Sequence, residues 1–236
     1  LVGSEMCIRD RAYRGGFNDT AGATLGAHAI KHAVERAKVD PAEVEDVIMG
    51  CAMQQGTTGL NVARQAALRA GLPVTVAGTT VDRQCSSGLQ SIAMAARAIM
   101  LDGVPVAVAG GLESISLVQN EHMNTHRVID RELVAMHRAV YMPMLDTAET
   151  VAARYKIGRD KQDEYALESQ KRTAAAQAAG RFDAEIVAMA TSMIVADKAT
   201  GATGPRDVTV SRDEGPRADT NAQGLAGLKT VRGEGK

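Results

Sequence analysis

The chain has 236 residues, 45% of them hydrophobic and 23% charged, with a formal net charge of −1. That composition is ordinary for a globular protein and long enough for one large domain or two modest ones. Near-neutral charge, no Trp, two Phe and four Tyr exclude the basic patches and stacking platforms of a nucleic-acid binder. Cys7, Cys51 and Cys85 are scattered with no CxxC pair, which opposes a disulfide framework or zinc site and favours a reducing, cytoplasmic compartment. No apolar run reaches bilayer-spanning length, and Leu1 to Arg11 lacks the apolar core and cleavage site of a secretory signal.

In chain order, Leu25, Ala29, Ile30, Ala33, Val34 and Ala37 have helical spacing, which predicts a helix from Thr20 to Lys38 ahead of Asp40-Pro41. Val44 to Met49 reads as a short buried strand ended by Gly50, and Asn61 to Ala70 as a helix followed by Gly71 and Pro73. Val74 to Val81 is the next strand. The helix after it carries Leu89, Ile92, Ala93, Ala96, Ile99 and Met100 on one face, and Gly103 stops it. Val104 to Ala109 is a continuous small apolar run, as in a strand covered on both faces. Alternating strands and helices predict a parallel sheet with right-handed crossovers. Beyond Gly110-Gly111-Leu112-Glu113 the chain turns polar and Met-rich. Two helical stretches follow, Thr147 to Tyr155 and Arg159 to Ala179, then a tail with a β-like segment at Val208 to Val210. This second half reads as an excursion from the sheet domain, a lid or cover.

Cys85 stands where a predicted strand meets a predicted helix, in Val81-Asp82-Arg83-Gln84-Cys85-Ser86-Ser87-Gly88-Leu89. Reactive groups collect at the carboxyl ends of parallel strands. A thiol there feels the positive end of the helix and its unbonded N–H groups, which favour thiolate. By residue type alone Cys85 is either a covalent nucleophile or core packing.

Several separated motifs resemble those of the thiolases. They are the Gln84-Cys85-Ser86-Ser87-Gly88 turn, Gly110-Gly111-Leu112-Glu113-Ser114-Ile115-Ser116, and Gly59-Leu60-Asn61-Val62-Ala63-Arg64-Gln65 upstream. Met142-Pro143-Met144 with Thr147-Ala148-Glu149, then Ser169, Gly180-Arg181-Phe182 with Glu185-Ile186, and Asp213-Glu214 to Leu228-Lys229 continue the likeness. The resemblance implies an α/β thiolase amino-terminal half-domain, a mixed five-stranded sheet with helices on both faces, at residues 12–117. A mostly helical inserted loop domain at 118–236 covers it.

The implied activity is acyl transfer between coenzyme A and a cysteine, in Claisen condensation or in thiolytic cleavage of the 3-ketoacyl-CoA compounds of fatty acid metabolism. Cys85 would attack the carbonyl and carry the acyl group, with ping-pong kinetics. Its backbone N–H, expected in the unsatisfied first turn of the helix, would be one oxyanion donor. By the same match Met144 would line the acyl or pantetheine pocket, and Arg217 would face the nucleotide end of coenzyme A. Coenzyme A thioesters are substrates in this scheme, no cofactor is held permanently, and a homodimer or homotetramer is implied. No nucleic-acid, membrane or metal partner is expected.

Two departures accompany the match. The histidine, the asparagine-held water and the second cysteine of a thiolase lie beyond the point that Lys236 reaches, so the chain is expected to be a truncated form, inactive alone. Residues 1–11 lack the family's opening strand and read as a non-native leader, leaving Cys7 without function. The ketoacyl and hydroxymethylglutaryl synthase branch is one alternative; a non-catalytic thiolase-like acyl or lipid carrier is another. Cys51 is read as core. His122, His126 and His137 are read as exposed loop residues rather than metal ligands. Glu113 is read as an anchor for backbone N–H groups. Without the resemblance, Arg217 would be a solvated charge.

Overall fold

Three short strands bring the first half of the chain to one sheet edge. The computed structural model describes residues 15–197, 200–213 and 215–232; the expected leader at 1–11, with Cys7, lies outside them. Strands β1 (Asp46–Gly50), β2 (Ala77–Val81) and β3 (Ala107–Gly111) form a parallel sheet in the order β2-β1-β3. Gly50 is opposite Val81 on one side and Gly111 on the other, so all three strands end level. The ladders run one residue further: the Cys51 amide donates to Val81 O at 2.9 Å, and the Leu112 amide to Gly50 O at 3.0 Å.

Alternation along β1 sorts its side chains to two faces. Val47 and Met49 join Ile30 and Val34 of α1 (Gly22–Ala37) and Val62, Ala63, Ala66 and Ala67 of α2 (Val62–Arg69) in one core. Ile48 points the other way, to Ala107, Ala109 and Ala95 of α3 (Ser87–Arg97). Helices therefore cover both faces, as expected.

The buried side of α3 differs from expectation. The residues it buries are Ser87, Ser91 and Ala95, whereas Leu89 and Met100 are 70% and 79% exposed. The cause is close packing: a Cβ on Gly50 would fall inside the backbone of Ser87 and Gly88, so only a small-residue stripe fits against the sheet. A π turn over Ala98–Asp102 prolongs α3 to Gly103, whose φ of +76° ends it.

The five described strands are not joined in one mixed sheet. β4 (Met189–Ala196) and β5 (Thr203–Val210) form a separate antiparallel hairpin. Met189 and Val210 bury with Phe17, and Thr20 Oγ1 meets Thr191 Oγ1 at 2.7 Å. Rather than dividing once at 117/118, the chain leaves this first unit after Asn124 and returns to it for 183–215. Within it the short α4 (Ile115–Val118) follows β3.

The second unit holds α5 (Arg131–Met136), α6 (Met144–Tyr155), α7 (Arg159–Ala178) and α8 (Ala222–Ala226). Arg159, at the head of α7, donates to Leu225 O at 2.6 Å and Leu228 O at 3.3 Å, tying α8 to it. α6 and α7 contain no buried residue. Among the described residues, no helix is long and apolar enough to cross a membrane.

Candidate active site at the Cys85 turn

The turn between β2 and α3 is closed by its own polar atoms. Asp82 Oδ1 accepts the Gln84 amide at 2.7 Å, and Arg83 O accepts the Ser86 amide and the Ser86 hydroxyl at 3.1 and 2.8 Å. Gln84 sits at φ +49°, a left-handed conformation that costs a non-glycine residue roughly 1 kcal/mol. Ser87 lies beneath the turn. Its Oγ accepts from the Arg83 amide at 2.8 Å and donates to Gln84 O at 2.5 Å. Arg83 Nη1 reaches Gln90 Oε1 at 2.8 Å above the same turn.

Cys85 is exposed and is a free thiol. It lies two residues ahead of α3 rather than in its first turn, since Ser86 is the N-cap and Ser87 the first helical residue. The amides of Cys85, Gly88 and Leu89 have no acceptor among the described residues. Amides without an internal acceptor, at the thiol's own position and at the start of α3, are groups that can stabilise negative charge on a substrate oxygen.

The scaffold below is built from close backbone contacts. Gly111 sits where a Cβ would be 3.3 Å from Gly88 Cα and 3.1 Å from Gly50 O. Ser91, fully buried, shares its O–H between Gly88 O at 2.7 Å and Gly110 O at 2.6 Å, locking α3 to β3. The sequence signal for this arrangement was the small residues at positions 87, 91 and 95, which the larger apolar side chains masked.

Glu113 anchors backbone N–H groups, as expected: it accepts from the amides of Ala52 and Met53 at 2.9 and 3.3 Å. Cys51 is core, 1% exposed, and its Sγ donates to Glu113 Oε1 at 3.5 Å. Burial first, then the Glu113 charge and hydrogen bond, push its thiol up to about 12. The two described cysteines thus have opposite environments.

Met144 and Arg217 belong to the second unit. Met144 is the first residue of α6 and is exposed. Arg217 is also exposed; its amide donates to Gln170 Oε1 at 2.8 Å and its carbonyl accepts from Thr220. His122, His126 and His137 are exposed, and no cluster of three or more metal-ligating side chains occurs among the described residues.

The family model described as Thiolase, N-terminal domain, matches residues 2–234. The chain belongs to the thiolase family. It is 41% identical over 237 residues to the β-ketoadipyl-CoA thiolase of Acinetobacter baylyi, covering 93% of this chain and 56% of that protein. It is 39% identical to the acetyl-CoA acetyltransferase of Escherichia coli, covering 92% of this chain and 55% of the relative. Among solved structures, the acetyl-CoA acetyltransferase of Bacillus anthracis matches with a TM-score of 0.74 and 36% identity, over 92% of this chain and 55% of that one. This thiolase chain therefore spans about half the length of the curated relatives it matches, and its sheet and helices are those of a thiolase N-terminal α/β domain.

Proposed function

We propose that the chain carries the acyl-accepting nucleophile of a thiolase-type acyltransferase. In this mechanism the Cys85 sulfur attacks the carbonyl of a coenzyme A thioester and the electron pair moves onto the oxygen. The amides around Cys85 stabilise that oxyanion. Collapse expels coenzyme A as thiolate and leaves the acyl group on Cys85 as a new thioester. The second half-reaction passes it to an enolate or back to coenzyme A, with ping-pong kinetics. The observation that carries the proposal is an exposed free thiol in the turn that follows the carboxyl end of β2 at Val81, with acceptor-free amides at Cys85 itself and at Gly88 and Leu89.

Met144 is assigned to the acyl or pantetheine pocket and Arg217 to the nucleotide end of coenzyme A, on the thiolase match. The substrates are coenzyme A thioesters and no permanent cofactor takes part. Assembly into a homodimer or homotetramer belongs to the same reading, supported by β2, whose outer side is a sheet edge among the described residues. A reducing, cytoplasmic setting is supported by the free thiols of Cys51 and Cys85.

The test is single-turnover loading. After incubation with acetyl-CoA, peptide mass spectrometry should find one acetyl group on Cys85, none on Cys51, and none in Cys85→Ala. Acetylation that falls on Cys51, or that persists in Cys85→Ala, overturns the proposal; loading of Cys85 excludes a non-catalytic carrier.

A further inference from the structure

We propose that Ser87 is a positioning residue for Cys85, holding the preceding turn so that the Cys85 amide stays unbonded beside the thiol. The inference rests on the functional reading above and adds a residue to it. Ser86 is the N-cap and Ser87 the first helical residue, and no side chain caps α3. Ser87 Oγ works backward, as a serine hydroxyl can toward a carbonyl three residues earlier, accepting from Arg83 N at 2.8 Å and donating to Gln84 O at 2.5 Å. A hydroxyl has one proton to give, and this one spends it on the turn.

The consequence is geometric. One bond ends on the carbonyl of the Gln84–Cys85 peptide and the other on the Arg83 amide, so together they span Gln84 at φ +49°. Ser87 is 5% exposed, so water does not compete for either partner. The Gln84 carbonyl is also the acceptor of the Ser87 amide at 3.0 Å. With the turn so closed, the Cys85 amide meets no internal acceptor. Without the hydroxyl, Gln84 can relax toward an ordinary φ, rotating the peptide that carries that amide.

The test compares two reactions at the same sulfur. With p-nitrophenyl acetate, the Cys85 thiolate adds to the ester carbonyl, the C–S bond forms, the C–O bond breaks and p-nitrophenolate leaves with the electron pair. The thiol proton has gone to buffer. This path builds an oxyanion. With iodoacetamide the thiolate displaces iodide and no oxyanion forms. The ratio of the two rates therefore reads the amide's position, while changes in thiol exposure or ionisation move both rates together.

Ser87→Ala should lower the acetylation-to-alkylation ratio by about tenfold, the scale of losing part of an oxyanion site. An unchanged ratio overturns the proposal. Circular dichroism and continued protection of Cys51 report whether the variant folds. If Ser87→Ala does not fold, Ser87→Thr, which keeps the hydroxyl, decides. Its ratio should stay within about threefold of the parent, and a tenfold fall in the folded variant overturns the role. Neither probe is a coenzyme A thioester. Acetyl-CoA loading that falls on Cys51 or persists in Cys85→Ala would therefore count against the functional reading and leave this comparison intact.

Discussion

Glu113 Oε2 accepts the Ala52 amide at 2.9 Å and so ties the segment after β3 to the loop after β1. The same carboxylate takes the Met53 amide and the Cys51 thiol. Thr58 Oγ1 holds the far side of this loop through Met53 O at 2.5 Å. The carboxylate is thus the common acceptor for three consecutive residues beside the Cys85 turn.

Glu113→Ala leaves two amides without their acceptor and should destabilise the fold by about 2 kcal/mol. Glu113→Gln keeps one carbonyl oxygen and should lose less. Urea denaturation checks both, as a shift in midpoint at constant slope.

Cys85 should react with iodoacetamide at neutral pH on the order of 100-fold faster than Cys51, because one thiol is exposed and the other is buried and held protonated. Mass mapping after timed labelling gives both rates. Equal rates would contradict the burial described above.

The Cys51 thiol also predicts an alkaline limit. Its folded pKa rises from 9.0 to about 12, so folding favours the protonated form. The stabilisation is complete below about pH 9 and is lost as pH rises toward about 12. Cys51→Ala should flatten the decline of stability over that window, measured by denaturation at stepped pH.

Gly50→Ala forces a methyl into the backbone of Ser87 and Gly88 and should cost about 3 kcal/mol. It should also slow acetyl loading of Cys85, since the start of α3 must move. At Gly88 an added Cβ meets nothing within 4 Å, so Gly88→Ala should stay within about 1 kcal/mol of the parent. Thermal melts of the two variants test the contrast.

His28 predicts the acid side. Burial lowers its pKa below 6.5, aided by His32 and Lys31 and opposed by the hydrogen bond to Val187 O at 3.2 Å. Folding favours the neutral ring, so its contribution is present above 6.5 and lost as pH falls through the lowered value. His28→Gln can still donate to Val187 O without titrating. Its melting temperature should fall less than the parent's between pH 7 and 5.

Local pattern was legible wherever one face of an element meets the core. The helices at 20–38 and 61–70 and the strand ending at Gly50 follow from spacing and from Gly and Pro boundaries, and the structure moves their ends by only a few residues. The hairpin was visible only at Val208 to Val210. β4 alternates weakly, and its partner Phe17 is far away in sequence. The apolar face assigned to α3 failed for a related reason. Periodicity locates a stripe of large residues but not whether the sheet has room for them.

By itself the sequence determined the parallel order of strand and helix, the junction at which Cys85 stands, and the thiolase relationship, because these are encoded in local spacing and contiguous motifs. Only the tertiary structure decided that Ser87, Ser91 and Ala95 face the sheet, that Ser87 clasps the peptide before Cys85, and that Glu113 gathers the loop after β1. Those outcomes depend on how closely backbones approach at Gly50 and Gly111. Such distances are fixed when distant segments pack, and no single stretch of chain contains them.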